Sequence, residues 1–117
     1  MKRIGIITTN KVLAQSLAAA VNGRPDWGFE PFLLLDPDQA ALDAEVLRLD
    51  AAVVDAGMAP EGSCETLRKT VPDCRLLLLV PQSGRRHAIK AVQSKAADDF
   101  VFYDASLDYL LAKLAAI

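Results

Sequence analysis

The sequence predicts an α/β domain built on a five-stranded parallel sheet of strand order 2-1-3-4-5, with helices on both faces. Three observations carry that prediction: near-continuous aliphatic runs of strand length, stretches of helical spacing between them, and short connections throughout. Runs that are apolar at every position suit strands buried on both faces, which is how parallel strands covered by helices sit.

The first run, Ile4-Gly5-Ile6-Ile7, leads into a helix with Leu13, Leu17 and Val21 at four-residue steps, opened by Asn10 and closed at Asn22-Gly23. Pro31 to Leu35 forms the second strand. Asp36-Pro37 then offers a capping carboxylate and a first-turn proline to a helix that places Leu42, Val46 and Leu49 on one stripe. Ala51 to Val54 is the third strand, and Ser63 caps a short helix through Val71, before Pro72. Leu76 to Val80 is the fourth strand, followed by a helix from Arg85 to Lys95 with Ile89 and Val92 inward. Phe100 to Phe102 is the fifth, and Asp104 or Ser106 caps a last helix carrying Leu107, Leu110, Leu111 and Leu114. Ligands of such sheets bind outside the carboxyl ends of the strands. Attention therefore falls on Thr8 to Asn10, Asp55 to Met58, Val80 to Gln82, and Tyr103-Asp104.

Composition bounds the function. A chain of 117 residues that is 52% hydrophobic and 24% charged reads as one soluble domain spanning 1–117. It can bury roughly two-thirds of its unfolded surface without disulfides or a structural metal. Thirteen basic against fifteen acidic residues leave a net charge of −2, which gives no bulk electrostatic grip on nucleic acid. Cys64 and Cys74 have neither CxxC spacing nor histidine company, so zinc and redox pairing are not indicated. The lead-in before Thr8 is too short for a signal peptide, no apolar run is long enough for a membrane span, and a cytoplasmic setting is expected.

Asp55 closes the central run Asp50-Ala51-Ala52-Val53-Val54-Asp55, with Met58 three residues on. Ala96-Ala97-Asp98-Asp99-Phe100-Val101 is similar to the Gly-Ala-Asp-Asp-Tyr-Leu segment of response regulator receiver domains, and Ser106 to Leu111 resembles their final helix. The resemblance runs over the whole chain and implies a CheY-like, flavodoxin-like fold in which the aspartate ending strand three accepts a phosphoryl group. Such a carboxylate attacks a phosphorus already ringed by negative oxygens, so a Mg²⁺ ion must offset the charge. In the family that ion is held by an acidic pair after strand one, the acceptor aspartate and a backbone carbonyl two residues beyond it. A lysine after strand five and a hydroxyl after strand four then bind the phosphoryl oxygens.

Laid on this sequence, the resemblance leaves the acceptor at Asp55 and the carbonyl at Gly57. The acidic pair falls on Thr8 and Thr9, the lysine on Tyr103, its following proline on Asp104, and the hydroxyl near Val80 and Pro81, which carry none. Phe100 stands at the switch aromatic. The expectation is therefore an atypical, degenerate receiver, or pseudo-receiver: no enzyme, Mg²⁺ binding weak or absent, and Asp55 a vestigial acceptor hydrogen-bonded by Thr8, Thr9 or nearby amides. One variant has Tyr103 donating to Asp55 and holding one switch state. The alternatives are a phosphorylatable receiver served at Asp55 by a histidine kinase, or a small-ligand or flavin binder using the Thr8-Asn10 turn, which lacks phosphate-wrapping glycines.

The resemblance also implies a partner or dimer face on the fourth helix, fifth strand and fifth helix. Basic Arg85, Arg86 and Lys90 there would meet acidic Asp98, Asp99, Asp104 and Asp108 across a two-fold axis. Signal transduction or transcriptional control through protein contacts follows, either alone or with an output domain beyond Ile117; some pilus-assembly ATPases carry similar N-terminal modules. His87, the only histidine, is expected on the solvent side of the fourth helix, the cysteines in the interior, and Trp27 folded over the sheet edge.

Overall fold

The computed structural model describes residues 1–57 and 62–117. Five strands, β1 (Lys2–Ile7), β2 (Phe29–Leu34), β3 (Ala51–Asp55), β4 (Arg75–Val80) and β5 (Asp99–Phe102), alternate with five helices, α1 (Lys11–Asn22), α2 (Ala40–Leu47), α3 (Ser63–Thr70), α4 (Arg85–Gln93) and α5 (Leu107–Ala116). The strands pair in parallel in the order β2-β1-β3-β4-β5, as expected for short right-handed crossovers in such a sheet.

Because successive side chains in a strand point to opposite faces, the sheet feeds two cores. Ile4, Ile6, Val53, Leu77, Leu79 and Val101 meet α1 and α5 on one side. Ile7, Val54, Leu76, Leu78 and Val80 meet α2, α3 and α4 on the other. Every residue of β3 is buried, so the central strand delivers Asp55 from a fixed position. Gly5 keeps β1 open to its neighbour: a Cβ there would lie 2.5 Å from Leu49 Cδ1.

Three helices seat differently from the expected stripes. On α2 the inward residues are Ala40 and Ala44, while Leu42 and Val46 are 57% and 71% exposed. Asp36 caps a 3-10 turn over Pro37–Gln39, accepting from the Asp38 amide, so α2 starts later and in another phase. Leu49 is buried, but it lies beyond the helix, after Arg48 at φ 54°. Helix α4 turns Ala88 and Ala91 inward and leaves Ile89 and Val92 half-buried. The branched and long side chains of the strands already fill this face, so the helices approach on alanine. On α5, Leu107 is exposed and Leu110, Leu111 and Leu114 are buried, with Ser106 as the cap. The residue before α3 is Gly62 at φ 83°, and Ser63 is the first helical residue.

Trp27 lies as expected, edge-on to Phe29 at 6.3 Å with the Arg24 guanidinium 4.7 Å above its ring. Cys64 and Cys74 are buried free thiols, and burial pushes them up to about 12 and about 11. Among the described residues no helix is long and apolar enough to cross a membrane.

Candidate functional site

The carboxyl ends of β1, β3 and β5 converge on Asp55, which is only 3% exposed. Thr8 follows β1 and is buried beside it; its hydroxyl donates to Asp55 Oδ2 at 2.6 Å and accepts the Asn10 amide at 3.0 Å. Asn10 in turn caps α1, its side chain accepting from the Leu13 amide at 3.1 Å. From the other side the Tyr103 phenol donates to Asp55 Oδ1. The Gly57 amide, 3.2 Å from both, donates to Asp55 Oδ1 and to the Tyr103 oxygen. Each hydroxyl therefore gives its proton to the carboxylate while a backbone N–H orients its oxygen, which satisfies a buried charge without a cation.

Tyr103 shows the electrostatic effect of this arrangement. Burial, the hydrogen bond to Asp55 and the negative charge of Asp55 push its phenol up to about 12, so the proton stays on the tyrosine. Gly57 leaves room for the Tyr103 hydroxyl in this arrangement. A Cβ at that position would come within 2.6 Å of the Tyr103 hydroxyl.

The donor set does not suit Mg²⁺. A hard divalent cation takes several oxygens, carboxylates above all, and both oxygens of Asp55 already accept hydroxyl protons. No three His, Cys, Asp or Glu side chains among the described residues gather to hold a metal. No ion pair among them reaches Asp55. Thr9, which the resemblance sets in the acidic pair, is exposed. At the end of β4, Val80 is buried and Pro81 half-buried. Met58 lies outside the described residues.

Phe100 is half-buried and packs on the core beneath α4. Its ring meets Phe102 edge-on at 5.5 Å, a partner missing from the sequence reading although i, i+2 spacing on a strand puts both on one face.

The acidic half of the expected partner face is largely spent within the chain. Asp98 sits just ahead of β5, where its carboxylate takes Arg68 at 2.8 Å, Arg75 at 3.2 Å and the Leu76 amide at 2.8 Å. Burial pushes this carboxyl up, but the Leu76 amide and the two guanidinium groups outweigh it and hold it below the usual range. Asp99 pairs with Lys113 at 2.8 Å and Asp108 with Arg24 at 3.1 Å, while Asp104 faces Gln82 Nε2 at 3.4 Å. Arg85, Arg86, His87 and Lys90 are all exposed.

No protein-family model matches the chain, and neither does any curated protein sequence. Solved structures do. A CheY-like response regulator receiver domain from Methanospirillum hungatei superposes with a TM-score of 0.85 at 16% identity, covering 99% of this chain and 92% of that one. Its fold is that of a receiver domain. A response regulator of Burkholderia pseudomallei, solved with a phosphorylated aspartic acid, a calcium ion and citrate, gives 0.81 at 24% identity over 99% of this chain and 69% of its own. A streptococcal protein described as one of a novel family of redox sensors evolved from two-component response regulators gives 0.80 at 18%, over 99% and 50%. In this receiver fold, Asp55 takes the strand-three end and Tyr103 the strand-five end, the two positions assigned to them by the sequence resemblance.

Proposed function

We propose that this chain is a receiver-type module of two-component signalling that acts by binding a protein partner, and that its aspartate pocket does not run Mg²⁺-dependent phosphotransfer. The observation that carries the reading is the clamp on Asp55. One oxygen accepts from Thr8 and the other from Tyr103, at the places where the resemblance expects an acidic pair and a lysine. Exchanging carboxylates and an ammonium for neutral hydroxyls removes both the ligands of the metal and the cation that would hold a phosphoryl oxygen. The clamped carboxylate then serves as a fixed structural joint, and the module signals through its surface. The streptococcal redox sensors, described as having evolved from response regulators, are a precedent for this fold serving a different input.

The test is incubation with acetyl phosphate and Mg²⁺, followed by intact-mass measurement. No phosphate adduct is expected on the wild-type chain. A stoichiometric adduct that disappears in Asp55→Ala would overturn the reading and make Asp55 a working acceptor, as in the phosphorylated Burkholderia structure.

A further inference from the structure

The end of the sheet opposite Asp55, where β4 and β5 begin, holds a recess of about 440 Å³ lined by Arg68, Arg75, Val92, Lys95, Ala97 and Asp98. Three cations there face one carboxylate, an excess of two positive charges in a chain whose net charge is −2. They come from three separate elements: Arg68 from the last turn of α3, Arg75 from the first residue of β4, and Lys95 from the turn between α4 and β5.

Two of the cations are held in place. Arg68 is only a quarter exposed; its Nη1 donates to the Pro72 and Cys74 carbonyls at 3.3 and 3.1 Å, closing the connection from α3 to β4, and its Nη2 donates to Asp98 Oδ2 at 2.8 Å. The Arg68 Nε is buried with no hydrogen-bond partner among the described residues. Arg75 donates from Nη1 to the other Asp98 oxygen at 3.2 Å and leaves more than half of its side chain exposed, so two guanidinium groups share a single carboxylate. Lys95 is exposed and belongs to no ion pair among the described residues. It stands at φ 65°, a left-handed position after a helix that favours glycine, and brings the third cation to the recess. Both α3 and α4 end here, and cations complement helix carboxyl ends. That accounts for Arg68 and Lys95 but not for Arg75, which belongs to a strand.

We infer that this recess binds a small, soluble organic phosphate monoester. Guanidinium forks pair with phosphate oxygens in bidentate fashion, and two surplus positive charges match the dianion that such an ester carries near neutral pH. The volume falls within the about 300–1,000 Å³ of small-molecule sites, which leaves room for an organic group beside the phosphate. Val92 and Ala97 give that group an apolar wall. Arg75, Lys95 and the second N–H of Arg68 Nη2 supply the donors, while Asp98 fixes both guanidinium groups. The site lies at the other end of the sheet from Asp55 and stands whether or not that aspartate is inert.

The probe is phenyl phosphate, titrated at physiological ionic strength and about pH 7.5, where a second ionisation near 6 leaves it a dianion, and read by amide shifts of the ¹⁵N-labelled chain. Saturable shifts are expected at residues 74–76 and 94–98, with phenol inert and inorganic phosphate bound several-fold more weakly for want of the apolar contact. Arg75→Gln and Lys95→Gly should each weaken binding about tenfold. Lys95→Gly should also be at least as stable to heat as the parent, which separates ligand binding from a folding role. Absence of saturable shifts, shifts confined to residues 8–10 and 55–57, or an affinity unchanged in both variants overturns the inference. Equal binding of inorganic phosphate overturns the organic ester, and tighter binding of a glutamate-rich peptide or of phosphatidic acid vesicles overturns the small soluble ligand.

Discussion

Replacing Tyr103 with phenylalanine removes one hydroxyl and keeps the ring. The lost bond runs from a phenol to a carboxylate that is 3% exposed, whereas the ring of Tyr103 is partly open at 42%. A hydrogen bond to a charged group contributes about 1.5–3 kcal/mol net, and access of water to the vacated side places the loss at the lower end, about 1.5 kcal/mol. An unfolding entropy of about 2.1 cal/mol/K per residue, over this chain length, converts that into a fall in Tm of roughly 6 °C. Thermal unfolding followed by circular dichroism at neutral pH is the assay. The pH dependence supplies a second check on the same bond. The phenol ionises at about 12 in the fold against about 10 in the unfolded chain, so the stabilisation is fully present below pH 10 and is lost as pH rises through 12. The difference between parent and variant should be flat through neutrality and close across that window. A Tm within about 1 °C of the parent, or a difference that persists unchanged to high pH, would refute the clamp as described.

Three further outcomes follow from the same geometry. Gly57→Ala should displace Tyr103 from Asp55, because the new Cβ would meet the phenol oxygen; the tyrosinate absorbance of Tyr103 should then appear at lower pH than in the parent. Asp98→Asn should cost about 2 kcal/mol at neutral pH by stranding Arg68 and Arg75. Since the folded carboxyl ionises below its unfolded value of about 3.9, that difference is present above pH 4 and shrinks as pH falls, which urea titrations at pH 7 and pH 3 would show. Cys64 and Cys74, buried and pushed to about 12 and about 11, should resist alkylation by iodoacetamide in the native chain and react when it is unfolded in urea.

The sheet was legible from the aliphatic runs because parallel strands between two helical layers need apolar residues at every position, and runs of only three to five residues are too short for a buried helix. The helix faces were not. Periodicity read for the largest apolar residues chose Leu42, Val46 and Ile89, whereas packing against strands already rich in Leu, Ile and Val favours the smallest, Ala40, Ala44, Ala88 and Ala91. In the pocket, Asp55, Thr8 and Tyr103 were recognisable by position, and the structure brings those three together while leaving Thr9 in solvent. Which carboxylates of the second half were free was beyond the sequence: Asp98 and Asp99 are adjacent in the chain yet alternate strand directions send one to Arg68 and the other to Lys113.

The Tyr103 bond also has a mechanical side. In the order β2-β1-β3-β4-β5, the strand next to β3 on that side is β4, so the contact from Tyr103 to Asp55 spans a whole strand without using the backbone ladder. Strand β5 has four residues and an unpaired outer edge, the kind of element that opens first in native-state fluctuations. Here its carboxyl end is tethered to the most buried strand of the sheet. Fraying at the edge must break the tether before it can spread, and conversely any event that releases Asp55 unfastens the strand that carries Phe100. Amide exchange along β5 should therefore report on the aspartate pocket two strands away.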